Sequence, residues 1–230
     1  VYAGKVLYSI GSDATQVNVA DGTLAVADGA FENSLIKGVS LPDSLKVIGA
    51  EAFSDTHISE LAIPSGVTYI GNRCFADSVL LTKISLPSSL ETLGTGAFNG
   101  CSALLSVTIP DKLTEIEQDM FFGCVSLSSV TLGSGIEFID EYAFSGCSAL
   151  TELAIPDKLT SFGKYVFSGC SSLEKFTVES SDTFGEIDGV LFQKDSEDGT
   201  LKTLVLYPTG RSGEYTVPES VETIGARAFY

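Results

Sequence analysis

The stretch LPSSLETLGTGAFNGCSALLSVTIPDKLTEIEQDMFFGC, from Leu86 to Cys124, contains one pattern twice. Its proline, phenylalanine and cysteine each return 23 residues later, pairing Pro87 with Pro110, Phe98 with Phe121 and Cys101 with Cys124. The phenylalanine recurs along most of the chain, at Phe31, Phe53, Phe75, Phe98, Phe121, Phe144 and Phe167. Seven matches at steps of 22 or 23 residues identify an internal repeat, the feature that decides the architecture.

Each unit contains two short apolar stretches separated by a turn. In the first, of the form Leu-x-x-Val-x-Ile-Pro, apolar and small polar residues alternate, as from Leu104 to Pro110. This period of two predicts a strand with Val and Ile facing inward and Ser or Thr facing outward. The proline has no N–H donor, which places it at the strand end, and the residues after it favour a turn. The second stretch has the form Ile-Gly-x-x-Ala-Phe.

A single unit of this length is too short to bury its own apolar side chains. Stacked at the roughly 4.8 Å spacing of neighbouring strands, successive units would share one core and pair their first strands into a parallel sheet. The phenylalanines would then form a buried column along the stack. We therefore predict a solenoid in which this column is core and not a cofactor site.

The composition is that of a packed protein with a large acidic excess. The 230 residues are 44% hydrophobic, and 30 Asp and Glu against 13 Lys and Arg give a net charge of −17. That charge, without a basic cluster, argues against binding to nucleic acid or to an anionic membrane surface. The apolar runs are too short to cross a bilayer. We expect no nucleic-acid partner and no membrane insertion.

The repeat Ile-Pro-x-x-Val/Leu-x-x-Ile-Gly-x-x-Ala-Phe-x-Gly-Cys-x-x-Leu resembles that of the BspA-like bacterial leucine-rich-repeat proteins, most clearly from Leu81 to Leu173. The resemblance implies a curved, right-handed leucine-rich-repeat solenoid with a parallel sheet on its concave face and short strands and turns on its convex side. It also implies a secreted or surface-attached protein that adheres to host matrix proteins or to other cells. Gly133 and Glu179 depart from the repeat at the proline position.

The expected domain organisation is a single solenoid over residues 1–230. Residues 1–20 fit the repeat poorly and are predicted to form an N-terminal cap hairpin. Residues 179–214 resemble the family's variant repeat with a hairpin insertion, whose loop would lie around Asp195 to Thr200. Because the chain begins without Met and stops in mid-repeat, we expect a fragment of a longer protein.

Four of the five cysteines, Cys101, Cys124, Cys147 and Cys170, occupy one repeat position, and Cys74 occupies the alanine position before Phe75. Parallel side chains on stacked turns, about 5 Å apart, do not face each other as a disulfide requires. No C-x-x-C pair offers convergent metal ligands. We interpret all five as free, buried thiols that act as small hydrophobic groups, and expect no metal and no cofactor.

Two other groups could carry chemistry. Glu117 and Asp140 stand where other units have glycine, and stacked carboxylates raise each other's pKa or attract a cation. Solvated side chains, a weak calcium site and a catalytic pair all remain open. His57 is the only histidine and lies near Ser54 and Asp55. No nucleophile-elbow motif accompanies it, so we interpret it as a surface loop residue and predict no catalytic residue.

The outward positions of the predicted concave sheet are the candidate partner-binding site. They include Thr82, Lys83, Ser85, Leu105, Ser106, Thr108, Ser128, Ser129, Thr131, Thr151 and Glu152. Solenoids commonly bind partners on this surface, but the strip lacks the Trp, Tyr and Arg residues that dominate interface hot spots. A binding face and an ordinary solvent-exposed sheet both remain open. We also expect cross-strand ion pairs joining Glu60 to Lys83 and Glu152 to Lys175.

The function predicted from these features is a non-enzymatic, extracellular or cell-surface module that binds a protein, with adhesion to a host or matrix protein as its role. The alternative is a structural spacer within a larger surface protein. A carbohydrate-active enzyme is a third hypothesis, which the sequence disfavours because no carboxylate pair lies in a cleft-forming insertion.

Overall fold

The computed structural model describes residues 2–9 and 13–229. Over these residues the chain winds into a solenoid of about nine turns built from parallel strands, which confirms the predicted leucine-rich-repeat fold. No helix long and apolar enough to cross a membrane occurs in this part of the chain. Two strands and the turn after the second make up each regular repeat.

The first strand of each repeat contributes to what we call the front sheet. Its strands are β3 (Gln16–Asn18), β5 (Gly38–Ser40), β7 (Glu60–Ala62), β9 (Lys83–Ser85), β11 (Ser106–Thr108), β13 (Ser129–Thr131), β15 (Glu152–Ala154) and β17 (Lys175–Thr177). Paired neighbours run parallel, with equivalent residues of successive repeats opposite each other, as Val107 is to Val130. From β7 to β15 the middle residue is buried and its two neighbours are exposed, because side chains alternate between the two faces of a strand.

The second strand of each repeat contributes to what we call the back ladder. Its two-residue strands are β2 (Val6–Leu7), β4 (Ala25–Val26), β6 (Val47–Ile48), β8 (Tyr69–Ile70), β10 (Thr92–Leu93), β12 (Glu115–Ile116), β14 (Phe138–Ile139) and β16 (Ser161–Phe162). They pair in parallel from β2 to β10 and again from β12 to β16. At the N-terminal end, β1 (Tyr2–Ala3) pairs antiparallel with β2.

The predicted phenylalanine column is confirmed. Neighbouring rings from Phe31 to Phe167 lie 4.7–5.7 Å apart between centroids and within 14° of parallel. The tight turn around each ring needs left-handed backbone, which Asp119 (φ 55°) and Gly123 (φ 72°) supply on either side of Phe121. Hydrogen bonds also join successive turns here, and the Phe121 N–H donates to the Ala143 carbonyl over 2.8 Å.

The regular pattern ends after β17 in a different topology. Strands β18 (Phe184–Ile187), β19 (Val190–Lys194) and β20 (Leu201–Leu206) form an antiparallel sheet, and β21 (Thr223–Ile224) adds to β20 in parallel. Between β19 and β20 the chain turns back at Asp195, whose carboxylate forms an ion pair with Lys202 at 3.1 Å. We call residues 184–229 the terminal block.

Candidate binding surface

The structure places all eleven predicted site residues in the strands of the front sheet or immediately before them. Seven of them lie within β9, β11, β13 and β15, and the other four, Thr82, Leu105, Ser128 and Thr151, each lie one residue before a strand. All are exposed except Thr82, which is partly buried. Lys83, Ser106 and Ser129 stand opposite one another on successive strands.

Two hydroxyl groups of this face are already used within the sheet. The Thr82 hydroxyl donates to the Ser59 carbonyl over 2.9 Å, and the Ser128 hydroxyl donates to the Leu105 carbonyl over 3.2 Å. Both link a residue to the preceding turn. These donors therefore stabilise the stacking of the turns, and a partner would compete with the carbonyls to use them.

One of the two predicted ion pairs forms, and the other prediction is wrong. Lys175 Nζ lies 2.8 Å from Glu152 Oε2, and this bond raises the pKa of Lys175. Glu60 and Lys83 also face each other in register, yet no oxygen–nitrogen contact within 4.0 Å joins their side chains. Register fixes only where the backbones lie, and an exposed pair gains too little energy to hold two long side chains in one conformation.

Exposed apolar side chains lie in the segments that lead into strands β9, β11 and β13 of the front sheet, and sequence reasoning found only one of them. The apolar rim comprises Val79, Leu80, Leu105, Phe122 and Val125, which are 43–53% exposed. It spans three successive turns. A signal was present, because Val79 and Val125 stand at a repeat position where other turns have Ser102, Ser148 and Ser171.

The cysteines are free and buried, as interpreted from their spacing. Each ladder thiol donates to a phenylalanine carbonyl of the preceding turn, as Cys124 does to Phe98 over 3.1 Å. Ser78 occupies the same repeat position and makes the same contact with Phe53 over 2.8 Å. Burial raises the pKa of Cys170 to about 12. A neutral, hydrogen-bonded thiol is a poor nucleophile and a poor metal ligand.

The two carboxylates that replace glycine in the repeat, Glu117 and Asp140, form local hydrogen bonds. Glu117 accepts a hydrogen bond from the Thr95 hydroxyl at 3.3 Å, and Asp140 accepts one from the Glu141 N–H at 2.6 Å. Burial, followed by the charges of Glu117 and Asp140, raises the pKa of Glu115. Within residues 2–9 and 13–229, no three Asp, Glu, His or Cys side chains come together as a metal-binding group.

His57 is partly buried, which corrects its interpretation as a surface residue. The shortened loop that carries it packs against the next turn, where the Thr56 N–H donates to the Ser78 hydroxyl over 3.2 Å. The nearby Ser54 hydroxyl donates to the Ala76 carbonyl over 3.0 Å. That serine therefore bridges two turns and is not aligned on an imidazole as a nucleophile would be.

Comparison with known proteins agrees with this architecture. A model of the BspA type leucine rich repeat region matches six copies over residues 8–124 and 73–197. A leucine rich cell surface protein from Faecalibacterium prausnitzii A2-165 has a similar structure, with a TM-score of 0.76 and 30% identity over 91% of this chain and 59% of that one. A leucine-rich repeat protein from Bacteroides ovatus has a TM-score of 0.66 and 26% identity over 94% and 64%. No curated protein matches significantly.

The T. pallidum Leucine Rich Repeat protein is also similar, with a TM-score of 0.70 and 31% identity over 73% of this chain and 82% of that one. The chain therefore spans less than two thirds of the F. prausnitzii and B. ovatus proteins and most of the T. pallidum protein. Repeats of this kind are generally non-enzymatic and mediate contacts between proteins. The motif, the stacked turns and these similarities together establish that the chain belongs to the BspA-type leucine-rich-repeat family.

Proposed function

We propose that this chain is a non-enzymatic, extracellular or cell-surface module that binds a protein through its front sheet and apolar rim, with adhesion to a host or matrix protein as its role. The observation that carries the proposal is the position of the rim. Five large apolar side chains remain about half exposed in the segments that lead into β9, β11 and β13, whose outward residues are mostly Ser and Thr. Exposed apolar groups rimmed by polar residues are typical of protein interaction sites.

A partner that buries an apolar side chain of its own against the rim would gain a substantial part of its binding free energy there. Fully burying a Leu or Val side chain contributes roughly 1.5–3 kcal/mol, and about 1.4 kcal/mol corresponds to a tenfold change in affinity. The Ser and Thr hydroxyls of the front sheet would add polar contacts around that centre, as in ordinary interfaces. The similar F. prausnitzii protein is described as a cell surface protein, which supports the proposed location.

The proposal can be tested by biolayer interferometry of the chain against a panel of purified extracellular-matrix proteins. Replacing Leu105 and Val125 with Ser should weaken binding at least tenfold, because the apolar contact is lost. The matched control replaces Val47 and Tyr69 with Ser, since these are comparably exposed at 36% and 42% but lie on the back ladder. Binding should survive in that variant.

The alternative, a spacer within a larger protein, draws support from the hydrogen-bonded ladders that join successive turns. A wild-type chain that binds no member of the panel would favour the spacer. Equal binding by the rim variant and the wild type would show instead that the contact surface lies elsewhere.

A further inference from the structure

Backbone hydrogen bonds join the regular turns around the phenylalanine column at every junction from Phe31 to Phe167, and on the back ladder at every junction except that between β10 and β12. On the back ladder, the Gly163 N–H donates to the Ile139 carbonyl over 2.7 Å. Around the phenylalanine column, the N–H groups of Phe144 and Gly146 donate to the carbonyls of Val166 and Ser168 over 3.0 and 2.7 Å. At such a junction the earlier turn therefore supplies both acceptors, such as the Ile139 carbonyl, and donors, such as the Phe144 and Gly146 N–H groups.

This pattern stops after the turn that carries Phe167. Among the described residues, the sheet of β12, β14 and β16 ends at β16. The Phe162 carbonyl is equivalent to that of Ile139, but no following turn within the described chain donates to it. The N–H groups of Phe167 and Gly169 likewise meet no acceptor there. One edge of the solenoid thus presents the hydrogen-bonding groups of an incomplete junction.

A cleft occupies the place where the next turn would lie. On the other side of this cleft from Phe167 lies Tyr207, whose N–H donates to the Ala228 carbonyl and whose ring lies 5.1 Å from that of Phe229. Between Phe167 and Tyr207 lies a partly open cavity of about 490 Å³, which is within the ~300–1,000 Å³ range of ligand sites. We call it the terminal cleft.

Other contacts hold the two sides of the terminal cleft together. The Thr209 hydroxyl donates to the Cys170 carbonyl over 2.6 Å, and the Gly210 N–H donates to the Leu173 carbonyl over 2.8 Å. On the front-sheet side, the Phe176 N–H donates to the Gly189 carbonyl over 2.9 Å. The terminal cleft is therefore held open between two parts of the chain that are hydrogen-bonded to each other.

The chemistry of the cleft differs from that of the whole molecule. Its lining is rich in aromatic rings, namely Phe162, Phe167, Phe176, Phe184, Tyr165 and Tyr207. It contains two basic residues, Lys164 and Arg227, and no acidic one, although the chain has 30 acidic residues against 13 basic ones. The Arg227 guanidinium lies 4.7 Å from the centre of the Tyr165 ring. An apolar group with a negative charge beside it would be complementary to this lining.

We propose that the terminal cleft binds a peptide segment of a partner protein that follows the path of a regular turn, a short strand and then a tight turn, and so completes the interrupted junction. The segment would donate to the Phe162 carbonyl and accept from the N–H groups of Phe167 and Gly169, as a regular turn does. Addition of a strand to an open edge is a common mode of peptide recognition. A bulky apolar side chain of the segment would pack on Phe167, and acidic residues would lie near Lys164 and Arg227.

A peptide copied from a regular turn of this chain is the most direct probe. Residues 136–146, IEFIDEYAFSG, contain the groups that complete the preceding junction, because the Asp140 N–H donates to Ile116 and the Ala143 carbonyl accepts from Phe121. The peptide also has three carboxylates and Phe144. With blocked termini and a fluorophore, it should bind the full 230-residue chain with one-to-one stoichiometry in an anisotropy titration.

Variants of both molecules test each part of the proposal. The peptide with Phe144→Ser should bind at least tenfold more weakly, and the protein variant Ala226→Trp, which fills the cleft, should not bind. Arg227→Gln should weaken binding about fivefold. The matched control is Arg73→Gln, because Arg73 occupies the same repeat position with the same left-handed backbone, φ 51° against 66°, outside the cleft. It should leave the affinity unchanged.

Hydrogen exchange of the unmodified chain tests the proposal without any protein variant, so the result does not depend on how the variants fold. The Phe167 and Gly169 amides should exchange quickly in the free chain and slow at least tenfold in the presence of the peptide. No anisotropy change up to about 1 mM peptide, or unchanged exchange at these amides, would overturn the proposal. Equally tight binding of 3-phenylpropionate would also overturn it, in favour of a small-molecule site.

This proposal is independent of the one made for the front sheet. The variant with Ser at positions 105 and 125 should bind the peptide as the wild type does. If binding at one of the two sites is not observed, the proposal for the other site is therefore unaffected.

Discussion

Phe121 shows how much of the fold depends on single residues of the column. Its ring is fully buried and lies 5.5 and 5.3 Å from the rings of Phe98 and Phe144. Its N–H donates to the Ala143 carbonyl, and its own carbonyl accepts from the Cys147 thiol over 3.2 Å. Its side chain thus contacts both neighbouring turns, and its backbone is hydrogen-bonded to the following one.

Replacing Phe121 with Ala should lower the free energy of unfolding by about 3–5 kcal/mol, because it removes a ring and leaves a cavity in a close-packed column. Urea denaturation followed by circular dichroism measures the loss. The adjacent Phe122 is 43% exposed, so Phe122→Ala is a matched control that should cost less than about 1 kcal/mol. A loss of that small size for Phe121→Ala would contradict the buried column.

Strands that pair in register do not always bring their facing side chains into contact. The pairs β7–β9 and β15–β17 each place a Glu opposite a Lys. Only Glu152 and Lys175 come into contact, at 2.8 Å, and their side chains remain about half exposed. The backbone ladders align the strands in both pairs, so an ion pair is not what sets their register.

Glu152→Gln should therefore lower the free energy of unfolding by less than about 1 kcal/mol. The effect should shrink at roughly 0.5 M NaCl, because salt screens exposed charges. Glu60→Gln, measured in the same urea titrations, should leave stability unchanged at both ionic strengths. A loss of several kcal/mol for Glu152→Gln at either ionic strength would mean that the pair is far less solvated than its exposure indicates.

The whole molecule consists of a regular array and a terminal block that are joined incompletely. The phenylalanine column runs without interruption from Phe31 to Phe167, whereas the back ladder ends at β16 among the described residues. Beyond it, β21 has both side chains exposed. Since each turn of a solenoid is stabilised by its neighbours, an incomplete junction lowers the stability of everything beyond it.

We therefore expect the terminal block to open at lower urea concentration than the regular array. Native-state hydrogen exchange should show lower protection for the amides of β20 and β21 than for those of β8 and β14. The strands β8 and β14, which lie in separate parts of the regular array, serve as the internal control and should show similar protection. Equal protection in all four strands would show that the terminal cleft does not divide the molecule.

Much of the fold follows from local pattern. Each turn meets only the turns beside it, so a residue that faces inward in one repeat faces inward in all of them. The period of 22 or 23 residues therefore predicted the column, the parallel strands, the free state of the cysteines and the outward positions of the front sheet. The same argument could not predict whether Glu60 and Lys83 touch, because exposed side-chain conformations are decided by small energies.

The repeat alone thus predicts a stacked solenoid with an inward phenylalanine in every regular turn. The place where that stacking is interrupted is visible only in the folded chain. The terminal cleft brings Phe162 and Phe167 of the last regular turn together with Tyr207 and Arg227, which lie 40 and 60 residues after Phe167 in the chain. Its shape depends on how the antiparallel sheet of β18, β19 and β20 packs against the last regular turn, and no periodic pattern specifies a contact that occurs once.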